Sequence, residues 1–262
     1  MNTIMNAHHV EPHKENELSL LSYNIQGGIE TRGFHHYFMK SWQHVLPHSR
    51  KRENIDQVAG IISDYDIVAL QETDAGSLRS NFTNLTEYLA RKGHFPYWYN
   101  QVNRNIGKLA QHSNGLLSKR EPIEICEHKL PGMIPGRGAI HARVKVGRTE
   151  LTIIVVHLAL GKQTRLQQLG YISELIQSDK HVVLMGDMNC ESHSKEMEYL
   201  FKNTHLLEPE SREHTFPSWQ PKKNIDHILV SSDVKVRGVH VLKHGVSDHL
   251  PVSMNIRIGT KH

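Results

Sequence analysis

Apolar residues in this chain fall into short runs, most of which stop at a polar cluster. Residues 18–24 are mostly apolar and lead into Gly27-Gly28, which reads as a strand feeding a loop. Residues 66–70 and 182–185 read as short buried strands. The stretches 114–118, 123–126, 139–146 and 151–158 read as consecutive strands, expected to be antiparallel. The last strands are expected at 225–231, 234–242 and 252–258. A different rhythm marks 54–63, where Ile55, Val58, Ala59, Ile61 and Ile62 recur at helical spacing. Helices are also expected at 81–92, 164–177 and 195–201.

Strands outnumber helices, and the helices come in two separated groups. That pattern predicts an α/β fold of two packed sheets with helices on the outer faces. There is no linker, internal repeat or low-complexity tract, so one domain is expected over 18–262. Residues 1–17 are polar and read as a flexible tail. One stretch stands apart. Residues 30–52 carry Phe34, Phe38 and Trp42 four apart, several histidines, and a closing Arg50-Lys51-Arg52. It reads either as a helix packing its aromatics inward or as a surface for bases or lipid.

Composition narrows the picture modestly. With 262 residues and 38% hydrophobic content, the chain can bury a sizeable core. A net charge of +4 suits an anionic substrate but falls well short of a protein that coats DNA. Cys126 and Cys190 lack metal-binding spacing, so reduced thiols in a cytoplasmic setting are expected. The N-terminus lacks the apolar core of a secretory signal. No run approaches the ~18 apolar residues of a membrane span. The longest, 151–160, is interrupted by His157.

Chemistry enters through the clusters at the ends of the runs: Asn24, Gln71-Glu72, His157-Leu158, Gly186-Asp187-Met188-Asn189, Asp226-His227 and Ser247-Asp248-His249. A side chain at a strand end can leave the core and face a cleft. Together these groups offer oxygen ligands for a hard cation, a carboxylate to handle a proton, and a histidine to stabilise charge on phosphate. Each also has a plainer reading. Asp187 and Asn189 share one face if the backbone stays extended, or else form an Asx turn. Asn24 orients a carboxylate or caps a loop. Glu72 is a ligand or a solvated strand end. Asp226 supplies the carboxylate that orients His249, while His227 reads as structural. His44 and His48 read as solvated surface, and Arg137 as either a phosphate contact on a rim loop or a plain surface arginine.

In this order the clusters resemble the endonuclease/exonuclease/phosphatase superfamily, which includes DNase I and the neutral sphingomyelinases. Asn114-Gly115-Leu116-Leu117-Ser118-Lys119 is also similar to the family's N-x-x-L-S-K strand. The resemblance implies a DNase I-like four-layer α-β-β-α sandwich of two mixed β-sheets with outer helices. It implies Mg²⁺, with Mn²⁺ as an alternative, held by Glu72 with help from Asn24 and with Asp248 at the metal region. Asp187 would position or deprotonate the attacking water, and Asn189 would orient it. His249, held by Asp226, would stabilise the transferring phosphoryl group, and His157 would bind one of its oxygens. The expected function is Mg²⁺-dependent hydrolysis of a small or lipid phosphate ester by a monomer. Residues 30–52 would then lie near the mouth of the site and meet a membrane or lipid surface. The alternatives are a nuclease acting on DNA or RNA and, third, an inactive binding protein.

Overall fold

In the computed structural model, described for residues 15–26, 48–77, 80, 82–106, 110–132, 136–209, 213–244 and 246–259, the chain forms two six-stranded sheets. The first contains β1 (Glu17–Asn24), β2 (Ile67–Asp74), β3 (Tyr97–Ile106), β4 (Ala110–Ser118), β11 (Val234–Val241) and β12 (Val252–Ile258), in the order β11-β12-β1-β2-β4-β3. The second contains β5 (Pro122–Lys129), β6 (Gly138–Val146), β7 (Thr149–His157), β8 (Val182–Asp187), β9 (Leu206–Leu207) and β10 (Asp226–Ser231), in the order β5-β6-β7-β8-β10-β9. Each sheet is antiparallel except at one central pair. β1 runs parallel to β2, and β7 runs parallel to β8. Both parallel pairs are joined through a helix, as parallel strands require. These are α1 (His48–Ile62) and α3 (Lys162–Leu175), accompanied by α2 (Leu85–Lys92) and α4 (Lys195–Asn203).

Period-2 alternation explains the layering. Leu18 and Leu20 of β1, Ile67 and Ala69 of β2, Ile153 and Val155 of β7, Val183 and Met185 of β8, and Ile228 and Val230 of β10 fill one core between the sheets. The intervening residues point outward. Leu21, Val68 and Leu70 meet Ile55 and Val58 of α1 and Leu89 of α2. Ile154, Val182 and Leu184 meet Leu169 and Ile172 of α3 and Met197 and Leu200 of α4. Helices thus cover both outer faces of two mixed sheets, the α/β sandwich that the chain pattern predicted.

Several elements differ in detail. β4 and β5 are consecutive in the chain but lie in different sheets, so the four expected antiparallel neighbours divide after Ser118. β3 was not expected, because Tyr97–Ile106 is mostly polar and has no apolar alternation. α2 begins at Leu85 rather than four residues earlier, because Asn84 caps it by accepting from the Thr86 and Glu87 backbone amides. Most of 30–52, including its aromatic stripe, lies outside the described residues. Among the described residues, no helix is long and apolar enough to cross a membrane.

Candidate active site

The inward stripes of the central strands turn polar on their last rung. Leu18 and Leu20 give way to Asn24, Ile153 and Val155 to His157, Val183 and Met185 to Asp187. On β10 the rung opposite is Asp226. Register places them side by side: His157 pairs with Asp187 across β7 and β8, and Asp226 pairs with Asp187 across β10 and β8. Gly186 permits this register. Its φ of +146° and the Val156 carbonyl against its Cα leave no room for a side chain.

Asp187 is the junction of the two sheets. Its Oδ2 accepts from Asn24 Nδ2 at 3.1 Å, a contact spanning 163 residues, and its Oδ1 accepts from the Asn189 backbone amide at 2.9 Å. The second bond is an Asx turn. Asn189 has φ of +52°, so the backbone bends rather than staying extended, and Asp187 and Asn189 do not share a strand face. Asn189 Nδ2 donates instead to the Leu158 carbonyl at 2.9 Å. His157 Nε2 and His249 Nε2 lie 3.5 and 3.8 Å from Asp187 Oδ2.

His249 Nδ1 donates to Asp226 Oδ2 at 2.9 Å. Thr215 donates to the same carboxylate at 2.6 Å, and the Phe216 ring lies 4.8 Å from the imidazole centroid. Asp248 is buried beside His249 and accepts from Ser247 Oγ at 3.2 Å. Ser247 Oγ also donates to the Asn24 carbonyl at 2.6 Å, joining the last loop to β1. His227 lies outside this network, bonded to Glu208 at 2.7 Å and to the Cys190 carbonyl at 2.8 Å.

Burial gives these groups distinct charge states. Asp187 is 2% exposed, and burial raises its pKa to about 7, with His249 opposing and Asp226 reinforcing the rise. Burial would lower His249, but the charge and hydrogen bond of Asp226 outweigh it and lift the imidazole to about 10. Burial drives His157 well below the usual histidine value, and nearby Arg137 and His249 add to the fall. At neutral pH one histidine is therefore cationic and the other neutral.

Glu72 stands at the open end. A register shift in β2 falls beside it and its φ is +55°, uncommon for a residue with a side chain. Its carboxylate lies 4.0 Å from His157 Nε2 and accepts no hydrogen bond among the described residues. An anionic, half-buried oxygen donor in that condition fits a hard divalent cation. Asn24 is less free, since its Oδ1 accepts from the Gln26 amide at 3.1 Å while its Nδ2 holds Asp187. Asp187, Asp226 and His249 form a second cluster, with atoms within 4.8 Å of one another, that could hold an ion. The proton held by His249 competes with that use.

Above Glu72 and His157 opens a cleft of 420 Å³. Its walls include Arg104, His112, Asn114, Arg137 and Thr164. Arg137 is thus a cleft residue rather than a plain surface arginine. Arg104 and His112 escape a reading built on apolar runs, because they sit on the polar strand β3 and the polar start of β4. Thr215 and Phe216 lie in a loop without pattern and become visible only through their contacts.

The sequence matches the family model described as endonuclease/exonuclease/phosphatase over residues 21–249. No curated protein matches it by sequence. Solved structures share its fold at low identity. An endonuclease/exonuclease/phosphatase from Beutenbergia cavernae is 18% identical, with a TM-score of 0.72 over 93% of this chain and 72% of that one. A mannosyl-6-phosphatase from Bacteroides thetaiotaomicron is 16% identical, with a TM-score of 0.67 over 91% and 99%. The human Nocturnin catalytic domain with bound sulfate is 16% identical, with a TM-score of 0.70 over 94% and 95%. A match over most of the length, on this fold, makes the chain a member of the endonuclease/exonuclease/phosphatase family, whose members are hydrolases of phosphate ester bonds.

Proposed function

We propose that this protein hydrolyses a small phosphate ester with Mg²⁺ as cofactor, by in-line attack of water. The observation that carries the reading is Asp187, fixed at both oxygens between two sheets and flanked by one cationic and one neutral histidine. A carboxylate raised to about 7 is matched to accepting a proton from water near neutral pH. Asn24 and the Asn189 amide hold it so that the accepting oxygen has one direction. His249 keeps its proton because Asp226 and Thr215 hold the other side of the pair, and it offers positive charge to the phosphoryl group. His157, neutral, donates a hydrogen bond to a phosphoryl oxygen without repelling a cation beside it. Glu72, with Asn24 and Asp248 as further candidate donors, would hold Mg²⁺, which supplies charge neutralisation at the phosphate.

A cleft of 420 Å³ supports a small substrate, since it lies at the lower end of small-molecule sites. The mannosyl-6-phosphatase of similar fold supports a phosphomonoester by analogy of fold. The test is Mg²⁺-dependent release of product from mannose 6-phosphate, p-nitrophenyl phosphate, bis-p-nitrophenyl phosphate, sphingomyelin and supercoiled plasmid. Release from the small monoesters that EDTA and Glu72→Gln both abolish is expected. Asp187→Asn is expected to slow it by about 10²–10⁴. Nicking of plasmid alone would make the protein a nuclease. Full activity in Glu72→Gln would remove Glu72 from the chemistry.

A further inference from the structure

Glu72 brings a negative charge to the cleft, but arginines also line it. Arg104 and Arg137 both line it, and neither has a hydrogen bond or a carboxylate at ion-pair distance among the described residues. Arg137 feels Glu72 and Asp187 electrostatically without bonding to either, and it is close enough to Arg104 for the two to repel. Arg104 lies along Gly136, where an added Cβ would approach Arg104 Cβ to 3.1 Å. Two guanidiniums gathered with no described carboxylate at ion-pair distance favour an anion between them.

Another part of the cleft lining agrees. α3 is 14 residues long and starts at the cleft, through Gly161 and Thr164. Gly161 provides no side-chain cap, and the first turn holds no acidic residue. Its leading amides are therefore left for another acceptor. Asn114 supplies an independent sign. It is fully buried, lines the cleft and donates through Nδ2 to the Gly138 carbonyl at 3.2 Å. Its Oδ1 is buried with no hydrogen-bond partner. A buried acceptor in that state calls for a donor from outside the protein, and a substrate hydroxyl is such a donor.

We propose that Arg104, Arg137 and the first turn of α3 bind a second phosphate of the substrate, beside the one that is hydrolysed, while Asn114 accepts a hydroxyl from the frame joining them. The substrate class is then a bisphosphorylated sugar or polyol. This deepens the phosphoesterase reading and rests on it.

The experiment compares glucose 1,6-bisphosphate with glucose 6-phosphate in two assays. One is hydrolysis with Mg²⁺; the other is equilibrium binding by calorimetry in EDTA. Wild type is expected to favour the bisphosphate at least tenfold in kcat/KM, mainly through KM. Arg104→Gln, at an exposed position, should shrink that ratio below threefold. Arg137→Gln should do the same, and Arg137→Lys, which keeps the charge, should restore part of it. A wild type without preference, or a preference that survives both glutamine variants, overturns the subsite. Equal loss on both substrates in Arg137→Gln would show that Arg137 grips the scissile phosphate instead. Bisphosphate binding that depends on Arg104, with no hydrolysis of either sugar, sustains the subsite and overturns the phosphoesterase reading. Hydrolysis of both at equal efficiency does the reverse, and neither binding nor hydrolysis overturns both.

Discussion

A single charge pair beside the site shows how much of the local stability depends on pH. His227 is buried, and burial alone would lower its pKa, yet its hydrogen bond to Glu208 and the charge of that carboxylate raise it above the usual 6.5. Burial would raise Glu208, but the His227 hydrogen bond and charge lower it below the usual 4.5. The histidine's contribution is complete below 6.5 and fades as pH rises through its raised value. The glutamate's is complete above 4.5 and fades as pH falls through its lowered value. The pair is therefore strongest between those two pH values. His227→Gln is expected to cost about 2 kcal/mol there, typical of a hydrogen bond to a charged group. Thermal melts at pH 5.5 and pH 9 check this, with the difference from wild type shrinking at the higher pH. A difference that stayed constant would mean the bond carries no charge. His227 sits one residue from Asp226, and its bonds to Glu208 and the Cys190 carbonyl agree with the expected structural role. Its outward-facing position on β10 separates it from the inward rung that Asp226 occupies.

At the scale of elements, each site residue depends on where a strand stops. β7 and β8 end on the same rung only because Gly186 lets the Val156 carbonyl come against its backbone. Gly186→Ala adds a Cβ into that carbonyl at a φ of +146°. The cost is expected to exceed about 2 kcal/mol, at the upper range for backbone strain. The denaturant midpoint should fall, and turnover should fall with it, because His157 and Asp187 flank the displaced peptide. An unchanged midpoint would mean that the strand pair absorbs the extra carbon. The same rung explains what could be read from the chain. Where apolar alternation ran into a polar residue, as at Asn24, His157 and Asp187, both the strand and its site residue were visible. β3 was invisible because its ten residues are mostly polar, and Arg104 was lost with it. Arg137 was noticed, but its loop offered no periodicity to aim it. The assignment of β4 and β5 to different sheets could not be read either, since alternation reports which face is buried and not which neighbour shares the hydrogen bonds.

At the scale of the whole molecule, the site exists only while the two sheets keep their spacing. Asn24 comes from one sheet and Asp187 from the other, and the Ser247 bond to Asn24 ties in the loop that carries His249. The inter-sheet core that sets this spacing ends directly beneath them, with Met185 two residues before Asp187. The helix layers support the sheets from outside and do not enter the junction; Leu200 of α4 is fully buried there. Met185→Ala and Leu200→Ala each leave a cavity, and each is expected to cost about 2–5 kcal/mol. Their effects on turnover should part. At a temperature where both variants remain folded, Leu200→Ala should turn over substrate as wild type does. Met185→Ala should lose roughly tenfold, because small displacements of catalytic groups are costly. Parallel melting and kcat measurements separate the two terms. Equal kcat in the two variants would show that Asp187 is held by its own hydrogen bonds alone. A loss confined to Met185→Ala would show that the sheet-to-sheet distance is itself part of the active site.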